Sequence, residues 1–149
     1  MNDTFYILNG PNLNLLGVRE PHLYGGTTLA QVQQMCERVT AELGYRCEFR
    51  QSNHEGVLVD WVQEAREKAA AVVINPAGLS FRSIPLLDAL KTLDQPLAEV
   101  HITNIHRRDP LYQHSLISLA ATGVICGFGP FGYELALRAV AQRLALVAA

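Results

Sequence analysis

Short apolar runs alternate with longer stretches whose apolar residues recur at helical spacing, and this alternation constrains the fold of the 149-residue chain more than any other feature. The first run, Phe5-Tyr6-Ile7-Leu8, stops at the breaker Asn9-Gly10-Pro11 and reads as a strand. From Thr27 or Thr28 a helix is expected: Leu29, Val32, Met35, Cys36, Val39 and Leu43 share one face, and Gly44 ends it. Cys47 to Arg50 reads as a second strand, after which Ser52 or Asn53 caps a helix whose stripe is Val57, Leu58, Trp61, Val62 and Ala65. Ala71-Val72-Val73-Ile74 has no polar face, as expected of a strand buried on both sides, and Asn75-Pro76 halts it. A helix follows through Ile84 to Leu93, with Pro85 tolerated in its first turn. Leu97 to Ile102 is the fourth strand and Gly123 to Cys126 the fifth, and Pro130 opens a final helix to about Leu146.

Strands that alternate with helices predict an α/β fold: a parallel sheet in a three-layer sandwich, as one domain over residues 1–149. Right-handed crossovers favour the flavodoxin-like strand order 2-1-3-4-5, with its switch point between strands 1 and 3. A ligand is then expected beyond the carboxyl ends of strands 1, 3 and 4. The segment Asn9–Thr28, the loop Asn75–Ser83 and the segment from His101 onward all leave those ends. A net charge of −2 argues against a general nucleic-acid or anionic-membrane binder. No apolar run reaches the ~20 residues that span a bilayer, and Met-Asn-Asp-Thr-Phe lacks the regions of a signal peptide. Cys36, Cys47 and Cys126 are odd in number and widely spaced, which fits reduced thiols packed as small apolar groups in a cytoplasmic protein.

The connection Asn9–Thr28 is far longer than the ~2–6 residues usual between strand and helix, which suggests a lid or binding loop. Asn12 and Asn14 within it suit either a ligand or a turn backbone. Arg19 and Tyr24 form a more informative pair. A phenol with pKa of about 10 is a poor base at neutral pH, but a close guanidinium favours the phenolate. An exposed Arg and a packed Tyr would give the same sequence. Glu99 and His101 share one face of their strand, so the carboxylate can orient the imidazole as a general acid, or the two can form a structural pair. Asp88 on the preceding helix suits a solvated face. Other motifs fail. Gly127-Phe-Gly-Pro-Phe-Gly132 comes after the last strand and loses an amide donor at Pro130, so it reads as a tight turn and not a dinucleotide cradle. His101, His106 and His114 lack the Cys or carboxylate partners of a metal site, and no G-x-S-x-G occurs.

The runs Leu8-Asn-Gly-Pro-Asn-Leu-Asn-Leu-Leu-Gly17, Arg19-Glu-Pro21 and Tyr24-Gly25 are followed by Phe49-Arg-Gln-Ser-Asn-His-Glu-Gly56 and Ile74-Asn-Pro-Ala77. Glu99-Val-His101 and Gly127-Phe-Gly-Pro-Phe-Gly-Tyr133 complete the series. Taken in this order over nearly the whole chain, they resemble the type II 3-dehydroquinate dehydratases. The resemblance implies reversible loss of water from 3-dehydroquinate through an enolate, without metal or organic cofactor. It implies that Tyr24 is the base, supported by Arg19 on the same loop, and that Asn12 holds a water against the enolate. His101, oriented by Glu99, is implied to protonate the departing hydroxyl. Asn75, with Ala77 beside it and the backbone of Ile102 and Thr103, is implied to hold the substrate carboxylate. Asp88 would reach in from a neighbouring subunit of a homo-oligomer, a dodecamer built from trimers.

Two positions depart from the family pattern. Phe81 stands where a His is usual and Tyr112 where an Arg is usual, at positions implied to contact the ring hydroxyls remote from the carboxylate. The change leaves polar groups of the ordinary substrate without their partners. It therefore implies a weakened grip on that substrate, a preference for a modified ring, or a protein retained for binding. Arg82, Arg107 or Arg108 is available to replace the missing cation. A flavodoxin-like binding module without catalysis is the competing class, against which the joint presence of Arg19, Tyr24, Asp88, Glu99 and His101 argues.

Overall fold

Side chains alternate in direction along a strand, and on β1 (Thr4–Asn9) this sends Phe5 and Ile7 to one face of the sheet and Tyr6 and Leu8 to the other. In the computed structural model, which describes residues 2–148, both faces are covered. After β1 come the short α1 (Pro21–Tyr24), then α2 (Leu29–Glu42), β2 (Arg46–Gln51) and α3 (Glu55–Lys68). They are followed by β3 (Ala69–Asn75), α4 (Ile84–Leu90), β4 (Leu97–His101), β5 (Gly123–Cys126) and α5 (Phe131–Ala148). The strands pair in parallel as β2-β1-β3-β4-β5, the flavodoxin-like order expected from the sequence.

Helices α2 and α5 pack on one face over Phe5, Ile7, Val73 and Val100, while α3 and α4 pack on the other over Leu8, Val72, Ile74 and Leu97. Leu97, Glu99 and His101 have the same parity on β4, so the acid and the imidazole point to the α3/α4 side. The sheet is not equally covered throughout. Gly123 and Val124 at the β5 edge are exposed.

Several expectations need correction. The cap of α3 is His54, not Ser52 or Asn53: the Ser52 hydroxyl accepts the His54 N–H at 3.0 Å, and Asn53 Oδ1 accepts the Asn12 N–H at 2.9 Å. Helix α4 ends at Leu90 and not Leu93, because the Thr92 and Leu93 amides turn to the carbonyls of Ala89 and Leu90. Helix α5 begins at Phe131 and runs to Ala148. Of the three cysteines only Cys36 is buried; Cys47 and Cys126 are partly exposed. The reading of Gly127–Gly132 as a turn is matched by its geometry. Gly127 and Gly129 take positive φ, and their amides donate to the carbonyls of His101 and Ile102.

Candidate active site

The carboxyl ends of β1, β3 and β4 meet beneath one cavity of about 230 Å³, at the side of the sheet where the strand order reverses. Gly10 brings the first two ends together. Its amide donates to the Asn75 carbonyl at 2.8 Å, and a Cβ there would lie 2.4 Å from the Pro76 oxygen. Only glycine permits that approach.

The long first connection wraps one side. Pro11 and Asn12 lie at its start, and Arg19 and Tyr24 reach the cavity from α1 and the residue run before it. Asn12 (φ 71) and Glu20 (φ 45) both adopt left-handed backbone, and Ala77 (φ 53) does so on the loop after β3. These three are the non-glycine residues with positive φ among the described residues, and all belong to segments that border the cavity. Strained backbone of this kind persists where surrounding contacts over-determine it. At Ala77 one such contact is visible: its amide donates to Asn75 Oδ1 at 3.2 Å.

Asn75 itself is buried and held from behind. Its Nδ2 donates to the hydroxyl of Tyr133 on α5 at 2.9 Å, and that hydroxyl donates to Asn9 Oδ1 at 2.6 Å. Asn9 Nδ2 in turn donates to the Arg50 carbonyl at 3.0 Å. Every member of this chain is an interior polar group with a partner, which fixes the rotamer of Asn75. Burial pushes the Tyr133 hydroxyl well above the ordinary phenol range, so it acts as a neutral donor and acceptor.

The third side is built by β4 and the segment after it. His101 lines the cavity, and its Nε2 is paired with Glu99 Oε2. Glu99 has no solvent exposure, and its other oxygen accepts the Ser118 hydroxyl at 2.7 Å. Burial raises the Glu99 carboxyl, but the hydrogen bond and charge of His101, with the nearby hydroxyls of Ser115 and Ser118, outweigh it and leave the group below the ordinary carboxylate range. The acid is therefore ionised and holds the imidazole ring in one orientation. Ile102 and Thr103 come next at the cavity wall.

The remaining wall is aromatic. Phe81 meets Tyr112 edge to face at 5.5 Å and leans on His101 at 6.2 Å. Arg108 lies over Tyr112 at 4.1 Å; of Arg82, Arg107 and Arg108 it alone lines this cavity. The structure thus gathers Asn12, Arg19, Tyr24, Asn75, Ala77 and Phe81 around one space. It adds His101, Ile102, Thr103 and Tyr112, with Glu99 directly behind. Asp88 is not among them. It is exposed on α4, outside the cavity. Among the described residues no His, Cys, Asp and Glu side chains are grouped to hold a metal ion, and no helix is long and apolar enough to cross a membrane.

Reasoning from the sequence missed Ser118 and the Tyr133–Asn9 support of Asn75. Ser118 lies in a 3-10 turn (Ile117–Leu119) whose position is set by no local pattern. Tyr133 stands on a helix after a glycine-rich turn, where an aromatic residue signals packing as readily as a hydrogen bond.

Known proteins of this build match most of the chain and not only its site. The family described as Dehydroquinase class II matches residues 3–141. A protein of Agrobacterium fabrum named 3-dehydroquinate dehydratase 1 is 54% identical over 140 residues, covering 94% of this chain and 97% of its own. A 3-dehydroquinate dehydratase of Caulobacter vibrioides is 57% identical over 134 residues, covering 90% of this chain and 92% of its own. The crystal structure of the type II dehydroquinase from Propionibacterium acnes superposes with a TM-score of 0.91 at 42% identity, covering 95% of this chain and 98% of that one. By fold, by sequence and by extent, this chain belongs to the class II dehydroquinase family.

Proposed function

We propose that the chain is a cytoplasmic 3-dehydroquinate dehydratase, and the observation that carries this reading is that Tyr24 and His101 line one cavity. Tyr24 removes a proton from the carbon alpha to the ketone, giving an enolate. Arg19 and Arg108 lie 5.2 and 5.8 Å from its ring centre, and their positive charge favours the phenolate that takes the proton and becomes neutral in the step. Asn12 holds a water against the enolate oxygen. His101, oriented by Glu99, gives its proton to the departing hydroxyl, which leaves as water, and the enolate electrons close the new carbon–carbon double bond of 3-dehydroshikimate. Asn75 and the backbone around Ala77, Ile102 and Thr103 hold the substrate carboxylate. No metal or organic cofactor enters these steps. Asp88, exposed on α4, completes the site of a neighbouring subunit in a dodecamer.

Phe81 and Tyr112 favour a second reading of the substrate. Two aromatic rings in contact offer little hydrogen bonding to the far end of a polyhydroxylated ring, so a dehydroquinate-like compound with fewer hydroxyls there fits better. Incubation with 3-dehydroquinate, monitored by enone absorbance, distinguishes the two. Turnover at the rate ordinary for the family excludes the modified ring; saturable binding without turnover indicates a binding protein. Tyr24→Phe and His101→Ala should each lower turnover by about 100-fold or more, with unchanged circular dichroism. Either variant retaining wild-type turnover sinks the assignment of base and acid.

A further inference from the structure

Planar groups form a continuous series around the mouth of the cavity. Arg19 and Arg108 flank the Tyr24 ring at 5.2 and 5.8 Å, and Arg108 also lies over Tyr112 at 4.1 Å. Tyr112 abuts Phe81 with the rings at 81°, and Phe81 reaches His101. The series therefore connects the proposed base to the proposed acid. Its closest cation-to-ring approach is between Arg108 and Tyr112.

The two ends of that contact are not equally anchored. Tyr112 closes a 3-10 turn (Pro110–Tyr112) that Pro110 opens, with its amide on the Asp109 carbonyl at 2.8 Å. Gln113 Nε2 donates to the Arg108 carbonyl at 2.6 Å, which fixes the backbone of Arg108 but not its guanidinium. Among the described residues that guanidinium makes no ion pair; two rings hold it. Arg108 and Tyr24 also line a second, open groove of about 560 Å³. Together with Ile102 and Thr103 they border both spaces and form the partition between them. A guanidinium that loses its ring has room to swing into the groove.

We infer that Tyr112 is a positioning residue: the face of its ring holds Arg108 in the partition, and through Arg108 it holds the Tyr24 phenol in line with His101. Its role for catalysis rests on the reading of Tyr24 as the base, whereas its role as an anchor does not. The contact uses the ring face and not the hydroxyl, so phenylalanine substitutes for it and leucine does not. A residue that merely touched substrate would raise KM and leave kcat alone.

Two measurements on the whole chain test this. In Tyr112→Leu, kcat for 3-dehydroquinate falls about tenfold, equivalent to about 1.4 kcal/mol, while KM moves less than about twofold. Tyr112→Phe recovers kcat to within about threefold of wild type. Independently of turnover, the amides of Leu23, Tyr24 and Gly25, which donate to the carbonyls of Glu20 and Pro21 around α1, exchange about tenfold faster in Tyr112→Leu and near the wild-type rate in Tyr112→Phe. Unchanged exchange in Tyr112→Leu overturns the inference, as does a raised KM with constant kcat, or equal losses in both variants. Faster exchange in a protein that does not turn over 3-dehydroquinate refutes the dehydratase reading and upholds the anchor.

Discussion

Glu99 is a carboxylate without solvent exposure on a buried strand, and such groups persist only when paired. The His101 imidazole and the Ser118 hydroxyl, at 2.7 Å, provide the pairing, and with Ser115 nearby they depress its ionisation range. A carboxyl depressed in the folded state contributes its full stability above the unfolded value of about 4.3, and loses it as pH falls through the folded value. Wild-type stability should therefore decline below about pH 4.3, and its advantage over Glu99→Gln in urea unfolding should shrink from about pH 6 to about pH 3, limits that bracket the carboxylate range. An advantage that stays constant over that range would show that the carboxylate is not held as described. The pairing of Glu99 with His101 was legible from strand parity, since residues two apart share a face. Ser118 was not, because a contact across 19 residues of chain depends on where a 3-10 turn lands.

At the scale of elements, local chemistry was most legible where it is self-contained. The start of α2 is such a place: Thr28 Oγ1 accepts the Gln31 N–H at 3.2 Å and Gln31 Oε1 accepts the Thr28 N–H at 2.9 Å. This reciprocal cap lies within four residues, and of the two starts the sequence offered, Thr27 or Thr28, the structure uses Thr28 as the cap. Thr28→Ala should lower stability by about 1 kcal/mol, measured as a lower urea midpoint with unchanged slope; no change would mean the cap is dispensable. The start of α3 misled for the opposite reason. Asn53 looks like a cap, but its side chain is taken by Gln51 and by Asn12, which lies 41 residues earlier. The segment between Asn9 and Thr28 was recognisable by length. Its α1, entered through a left-handed Glu20, was not, because four residues give too short a pattern to show periodicity.

For the whole molecule, the strand order and the placement of the cavity at the switch point were both available from the alternation of elements. The edge of the sheet carries further information. Val124, Phe128 and Phe131 lie along β5 and the turn after it, exposed by 42%, 69% and 53%. Apolar groups at an open strand edge suit contact with another chain, and Asp88 on α4 is exposed and lies outside the cavity of its own chain. Analytical ultracentrifugation should accordingly give a particle of twelve 16.4 kDa chains, as the dodecamer proposal requires. A monomer at working concentration would remove both the partner and the assigned role of Asp88.

The hydroxyl of Tyr133 makes the final helix a foundation of the site it never enters. Through Asn9 and Asn75 it sets the floor against which a ligand would rest, from the far layer of the sandwich. A chain truncated before Phe131 would keep all the side chains that face the ligand and still lose the shape of the place it occupies.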